Sequence, residues 1–256
     1  MNTRREFCSF LGVALLGLNR KLIAQQENDF VAKSFQSSGG QRMPYRLFIP
    51  PKYESRQRYP LVLWLHGGAG RGSDNLSQIS GGNTTGSHVW TLPEHQSKNP
   101  CFVFAPQCPV EQEWATVSRT QATEQLHLAL EILKLLRNTF SIDDQRLYVT
   151  GQSLGGFGTW SAITIWPNLF AAAIPVCGGG DESQASKLVN TPIWAFHGEK
   201  DDAVSVERSR TMVAAIKRAG GKPRYTEYKN AGHVIWESVF HESELLPWVF
   251  SQRRTN

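Results

Sequence analysis

The sequence has no apolar run long enough to cross a membrane. The longest, Phe10 to Leu18, falls well short of the roughly 20 residues that a spanning helix requires, which excludes a polytopic membrane protein. Low-complexity tracts and repeats of fixed period are missing too, and 22 glycines and 13 prolines in 256 residues is ordinary usage, so disordered, fibrous and solenoid classes are excluded. Cysteine is scarce: outside the first 24 residues stand only Cys101, Cys108 and Cys177, an odd number. Cys101 and Cys108 bracket an extended run that holds them too far apart to bridge, and no disulfide is expected. Basic runs are absent from the body of the chain. Residues 1–24 hold Arg4, Arg5, Arg20 and Lys21 against Glu6, so of 27 basic and 22 acidic residues 23 and 21 remain beyond them, and the net charge falls from +5 to +2. With no stripe to track phosphates, no nucleic-acid partner is expected.

What the first residues do carry is an arginine pair ahead of a short apolar stretch, Met1-Asn-Thr-Arg-Arg-Glu-Phe-Cys-Ser-Phe-Leu, which resembles a twin-arginine export signal. The expected division is an export signal over residues 1–24, with Ala24 as a candidate cleavage position, and one globular domain over residues 25–256. The expected location is periplasmic or extracellular, with no membrane span in the mature form. That route exports proteins already folded in the reducing cytoplasm, so an exported chain without disulfides is coherent. At 40% apolar residues the remainder suffices for one domain with a sizeable core.

Phe30–Gln36 and Arg42–Ile49 alternate apolar and polar residues around a Ser-Gly-Gly-Gln turn and read as a β-hairpin. Leu61–Leu65, Phe102–Ala105, Leu147–Thr150, Ala172–Val176 and Ile193–Phe196 are short, nearly continuous apolar runs, as expected of strands buried on both faces. Helical patterns over Thr120–Thr139, Phe157–Ile165 and Glu207–Ala219 lie between or after them. Arg224–Tyr228 adds a strand and Glu242–Ser251 a closing helix. The alternation predicts an α/β fold, a mostly parallel sheet with helices on both faces. The polar, glycine-rich pieces His66-Gly-Gly-Ala-Gly, Gly151-Gln-Ser-Leu-Gly-Gly and His197-Gly-Glu-Lys-Asp-Asp each follow a strand and so converge on the carboxyl edge of the sheet, where open α/β sheets place their sites.

Gly151-Gln-Ser153-Leu-Gly155 matches the G-x-S-x-G nucleophile elbow, and its context, a strand before and a helix after, is the one that motif requires. A serine hydroxyl is a poor nucleophile until a base takes its proton, so Ser153 calls for a histidine and an acid to orient it. Of seven histidines, His233 in Asn230-Ala-Gly-His lies in the loop after the final strand and is the candidate base; His66 and His197 precede glycines at strand ends, where imidazoles brace loops. The acid is expected after the preceding strand, where Glu199, Asp201 and Asp202 are all available. Oxyanion donors are expected from the N–H of Leu154 and from the loop after Leu61–Leu65, with Gly68 favoured over Ala69. A phosphate cradle in that loop is excluded, because no G-K-[ST] follows it and no G-x-G-x-x-G opens a helix there.

His66-Gly-Gly-Ala-Gly-Arg-Gly-Ser-Asp-Asn75, Ala105-Pro-Gln-Cys-Pro109, Tyr148-Val-Thr-Gly-Gln-Ser-Leu-Gly-Gly-Phe-Gly-Thr-Trp160 and Pro175-Val-Cys-Gly-Gly-Gly-Asp181 together resemble the α/β-hydrolase group of phospholipase/carboxylesterase-like enzymes and so-called predicted peptidases, over about residues 40 to 252. The resemblance implies an α/β-hydrolase fold and serine esterase activity, with feruloyl esterases and polyhydroxybutyrate depolymerase-like proteins as relatives. Gln152 stands where many members have another residue. The group's H-G-x-x-D-x-x-V loop, matched by His197 to Val204, implies Asp201 as the triad acid, with Asp202 as the alternative.

About a dozen residues separate Gly180 from Thr191, where many such enzymes insert a helical cap, so no cap domain is expected. An open site suits short-chain, aryl or polysaccharide side-chain esters, small or polymer-attached, rather than lipid interfaces. Trp90 and Trp114, read as loop residues at the same edge, are the candidate substrate-stacking residues. No cluster has metal-ligand spacing, and neither metal nor cofactor is expected. Two rival readings stand: a serine peptidase on the same fold, and a non-catalytic carbohydrate-binding module.

Overall fold

A computed structural model of the chain describes residues 29–115 and 122–254; the export signal expected over residues 1–24 lies outside them. The strands are β1 (Phe30–Gln36), β2 (Arg42–Phe48), β3 (Tyr59–Leu65), β4 (Phe102–Pro106), β5 (Ile142–Gln152), β6 (Ala172–Val176), β7 (Trp194–Gly198) and β8 (Arg224–Tyr228). They form one sheet in the order β1-β2-β4-β3-β5-β6-β7-β8. β2 runs antiparallel to both its neighbours and every other adjacent pair is parallel. The helices are α1 (Thr84–His88), α2 (Pro93–Gln96), α3 (Glu124–Thr139), α4 (Leu154–Ile165), α5 (Glu207–Arg218), α6 (Trp236–Phe240) and α7 (Leu245–Ser251). Among the described residues no helix is long and apolar enough to cross a membrane.

Every residue of β3, β4, β6 and β7 is buried, as a sheet covered on both faces demands. Alternation along β3 divides the core in two. Leu61, Leu63 and Leu65 join the layer with Leu126 and Leu133 of α3, Trp160 of α4 and Met212 of α5. Val62 and Trp64 face the other layer, with Val239 and Phe240 of α6 and Leu245 and Val249 of α7. The segment from Gly180 to Thr191 holds one short 3-10 helix, Glu182–Leu188, and no cap.

Several boundaries differ from the pattern-based expectation, β5 beginning at Ile142 rather than Leu147 and α3 at Glu124 rather than Thr120, and two further ones have a local cause. The closing helix expected over Glu242–Ser251 begins only at Leu245, as α7, and a separate short helix, α6, precedes the expected segment at Trp236–Phe240. Pro247 is the reason: it is tolerated in the first turn of α7, but a helix begun at Glu242 would press its ring on the carbonyl of Ser243. Helix α4 begins directly after Ser153, three residues earlier than its apolar pattern, because the low helix propensity of Gly155 and Gly156 hides the first turn.

Candidate active site

The elbow is built by close backbone packing. A Cβ on Gly151 would lie 2.5 Å from the carbonyl oxygens of Leu65 and Gly155, and one on Gly155 would overlap the Leu65 carbonyl outright. Only glycine lets β5 turn into α4 this tightly. Ser153, at the turn, takes φ 54° and ψ −115°, a conformation that costs a non-glycine residue on the order of 1–3 kcal/mol and persists only when its surroundings enforce it. Here its N–H donates to Val176 O at 2.9 Å, and its carbonyl accepts from Phe157 N at 3.1 Å.

Three strand ends then meet. Ser153 Oγ lies 2.9 Å from His233 Nε2, and His233 Nδ1 lies 2.7 Å from Asp201 Oδ2. The carboxylate fixes the tautomer: Nδ1–H donates to Asp201, which leaves Nε2 to accept the serine proton. The side chain of Asp201 is fully buried. Its Oδ1 accepts from Ala203 N at 3.0 Å and Val204 N at 2.7 Å. Burial by itself would raise the Asp201 pKa, but the hydrogen bonds from His233, Val204 and Ala203 outweigh it and hold the carboxyl below its ordinary value. Asp202 is exposed, and Glu199 is engaged elsewhere, accepting from Asn230 N at 2.7 Å. That bond, with Lys200 N to Ala231 O at 2.8 Å, ties the acid loop to the histidine loop.

Leu154 opens α4, so its N–H belongs to the first turn, which has no intrahelical acceptor and lies at the positive end of the helix dipole. Gly68 opens the 3-10 turn Gly68–Gly70 beside it. His66 braces that loop: its Nε2 accepts from Cys108 N at 3.0 Å and its Nδ1–H donates to Gly67 O at 2.7 Å. Burial pulls its pKa down to about 4, so the imidazole is neutral.

Trp90 and Trp114 are not at a binding surface. Both are fully buried, so neither offers a face to a ligand. Trp90 donates to Gly86 O and packs against Phe240 and Phe250; Trp114 donates to His66 O and packs edge-on to the His66 ring. Large aromatics in short segments over a two-layer core are drawn inward by the area they bury, and sequence position alone does not reveal it. A half-buried aromatic that does lie beside the site is Trp236, whose ring centroid lies 5.3 Å from that of His233 at 88°. Its place three residues after His233 was the available signal. His197 also does more than brace a loop. Its Nε2 is 2.9 Å from Val204 O and 3.2 Å from Asp201 Oδ2, and its Nδ1 is 2.7 Å from Ser209 Oγ.

Among the described residues, Cys177, Asp201 and His233 form the one grouping with three potential ligand atoms within 4.8 Å. It fits a metal poorly. Burial pushes the Cys177 thiol far above its usual range, and His233 Nδ1 carries the proton it gives to Asp201. Cys101, Cys108 and Cys177 are all free and buried.

A hydroxyl, an imidazole and a carboxylate in line at the strand ends of this sheet define the class: an α/β hydrolase. The chain belongs to the Esterase family, whose model matches residues 36–233. A crystal structure of a thermostable esterase shares 40% identity with a TM-score of 0.86, over 90% of this chain and 64% of that one. The bifunctional acetylxylan esterase/xylanase XynS20E of Neocallimastix patriciarum is 32% identical over 58% of this chain and 20% of its own length. Poly(3-hydroxyalkanoate) depolymerase C of Paucimonas lemoignei is 34% identical over 47% of this chain and 28% of its own. The chain thus spans less than a third of either curated relative.

Proposed function

We propose that this protein hydrolyses carboxylic esters through an acyl-enzyme on Ser153. The observation that carries the reading is the continuous hydrogen-bonded series Asp201–His233–Ser153 at 2.7 and 2.9 Å, ending on a serine at the elbow. His233 Nε2 takes the Ser153 proton as Oγ adds to the ester carbonyl, and the N–H groups of Gly68 and Leu154 receive the oxyanion. Collapse expels the alcohol, protonated by His233. Water then repeats the sequence and frees the acid. Ionised Asp201 stabilises the imidazolium that forms in each half.

The substrate class is short-chain, aryl or polysaccharide side-chain esters. Support comes from the short Gly180–Thr191 segment, which holds no cap, and from relatives named for acetylated xylan and poly(3-hydroxyalkanoate). An amide is disfavoured: its amine must be protonated in alignment, which requires the far side of the substrate to be held. Ser153→Ala is expected to abolish turnover of p-nitrophenyl acetate and methyl ferulate, keep the fold, and lose labelling by a fluorophosphonate. Retention of more than a few per cent of kcat would overturn the nucleophile, and a peptide anilide turned over as fast as the esters would make the chain a peptidase.

The arginine pair of residues 1–24 supports export of a single catalytic domain spanning residues 25–256. A folded reporter fused to residues 1–30 is expected to cross the inner membrane, and Arg4→Lys with Arg5→Lys to block it. A reporter that stays cytoplasmic with the native leader overturns the location.

A further inference from the structure

Two carboxamides hold the nucleophile strand and the loop after β3 in register. Asn83, 1% exposed, accepts the N–H of Gly67 on Oδ1 at 2.9 Å and donates from Nδ2 to Ser77 O at 3.1 Å. Gln152, 3% exposed and directly before Ser153, donates from Nε2 to Gly82 O at 2.7 Å and to Asn83 Oδ1 at 3.4 Å. Its Oε1 is buried with no hydrogen-bond partner. The orientation is therefore forced, because turning the amide over would set that oxygen against two others. Gln152 also packs on Gly67, where a Cβ would meet its Cγ at 3.4 Å. Asn83 thus joins the peptide before Gly68 to the residue before Ser153, through side chains 69 positions apart in sequence.

We propose that Asn83 and Gln152 are positioning residues for the oxyanion donors, setting the Gly68 N–H against the Leu154 N–H. This rests on the reading that those two N–H groups receive the oxyanion. Leu154 is fixed by its helix, whereas the Gly68 N–H is fixed through its loop: the Gly67 carbonyl in the same peptide accepts from His66 Nδ1 at 2.7 Å and Gly70 N at 2.9 Å, and the peptide before it is held on its other side where Gly67 N donates to Asn83. A buried Gly67 N–H deprived of that acceptor would rotate its peptide to seek another, and the adjoining Gly68 N–H would turn with it. Donors misplaced by about 1 Å cost on the order of 10²-fold in rate. Because the misplacement matters only once negative charge has formed on oxygen, the loss falls on kcat.

The test uses the purified enzyme with an aryl acetate and its thionoacetate, in which sulfur replaces the carbonyl oxygen, each rate taken relative to its hydroxide-catalysed rate. Donors aimed at oxygen discriminate against the larger, weaker acceptor. The wild type is expected to prefer the oxygen ester strongly. Asn83→Ala and Gln152→Met should each lower kcat by about 10- to 100-fold on the oxygen ester, leave KM within about threefold, and reduce the oxygen-over-sulfur preference in proportion, with the pH profile unmoved. Gln152→Met removes only the donated bonds and carries the test if Asn83→Ala does not fold. A wild type with no oxygen preference would overturn the donor assignment itself. A strong wild-type preference kept intact in the folded variants would overturn the positioning role alone.

Discussion

Ser153 and Asp201 are placed by different physics. The serine is forced into a conformation its side chain disfavours by the glycines around it, so its hydroxyl stands clear of the sheet. Asp201 is held in a buried pocket where two backbone N–H groups and His233 compensate the lost hydration. Its neighbour Asp202 is exposed. Asp201→Asn should therefore cost about 10⁴ in kcat, since an amide can present the wrong tautomer to His233. Asp202→Asn should change kcat less than about twofold, as surface substitutions away from such features do little. Steady-state kinetics on p-nitrophenyl acetate decides between them, and comparable losses would leave the acid unassigned.

At the level of elements, the strand-to-helix junction has its tolerance written in its glycines. At Gly155 a methyl group would collide with the Leu65 carbonyl, a backbone atom of a central strand. Gly155→Ala should destabilise by about 3 kcal/mol or more, or prevent folding. At Gly68 a Cβ meets nothing within 4 Å. Gly68→Ala should leave the urea midpoint near that of the wild type or slightly above it, since alanine reduces the freedom of the unfolded chain. If the two substitutions proved equally costly, the packing described at the elbow would be wrong.

Acid sensitivity belongs to the whole molecule. His66 and His197 are buried and neutral, with pKa values lowered chiefly by burial, that of His66 to about 4. In the unfolded chain a histidine titrates near 6.5, so between about pH 6.5 and 4 the unfolded state binds the extra proton. Stability then rises with pH across that window: the contribution is complete above about 6.5 and is lost as pH falls toward 4. For His66 alone this amounts to about 2 kcal/mol between pH 7 and pH 5. Asp201, held low, adds its own loss only below about pH 3.9. Urea unfolding at pH 7 and pH 5 should show the drop, and His66→Gln should flatten it. Equal pH dependence in wild type and variant would remove His66 as the cause.

By itself the sequence determined which segments are strands and where the chemistry gathers. Unbroken runs such as Leu61–Leu65 and Ala172–Val176 can be satisfied only between two layers, and glycines flanking a serine after such a strand can only be a tight turn. Both signals are local, carried by residues within a few positions of one another. What the tertiary structure alone decided is which side chains meet across crossovers. It turned Asp201 rather than Asp202 toward His233, buried Trp90 and Trp114, brought Trp236 and His197 to the site, and set Gln152 against Asn83. Those outcomes depend on how strands distant in sequence lie beside one another, and on the pull of desolvation on each aromatic ring, quantities that no short-range pattern contains.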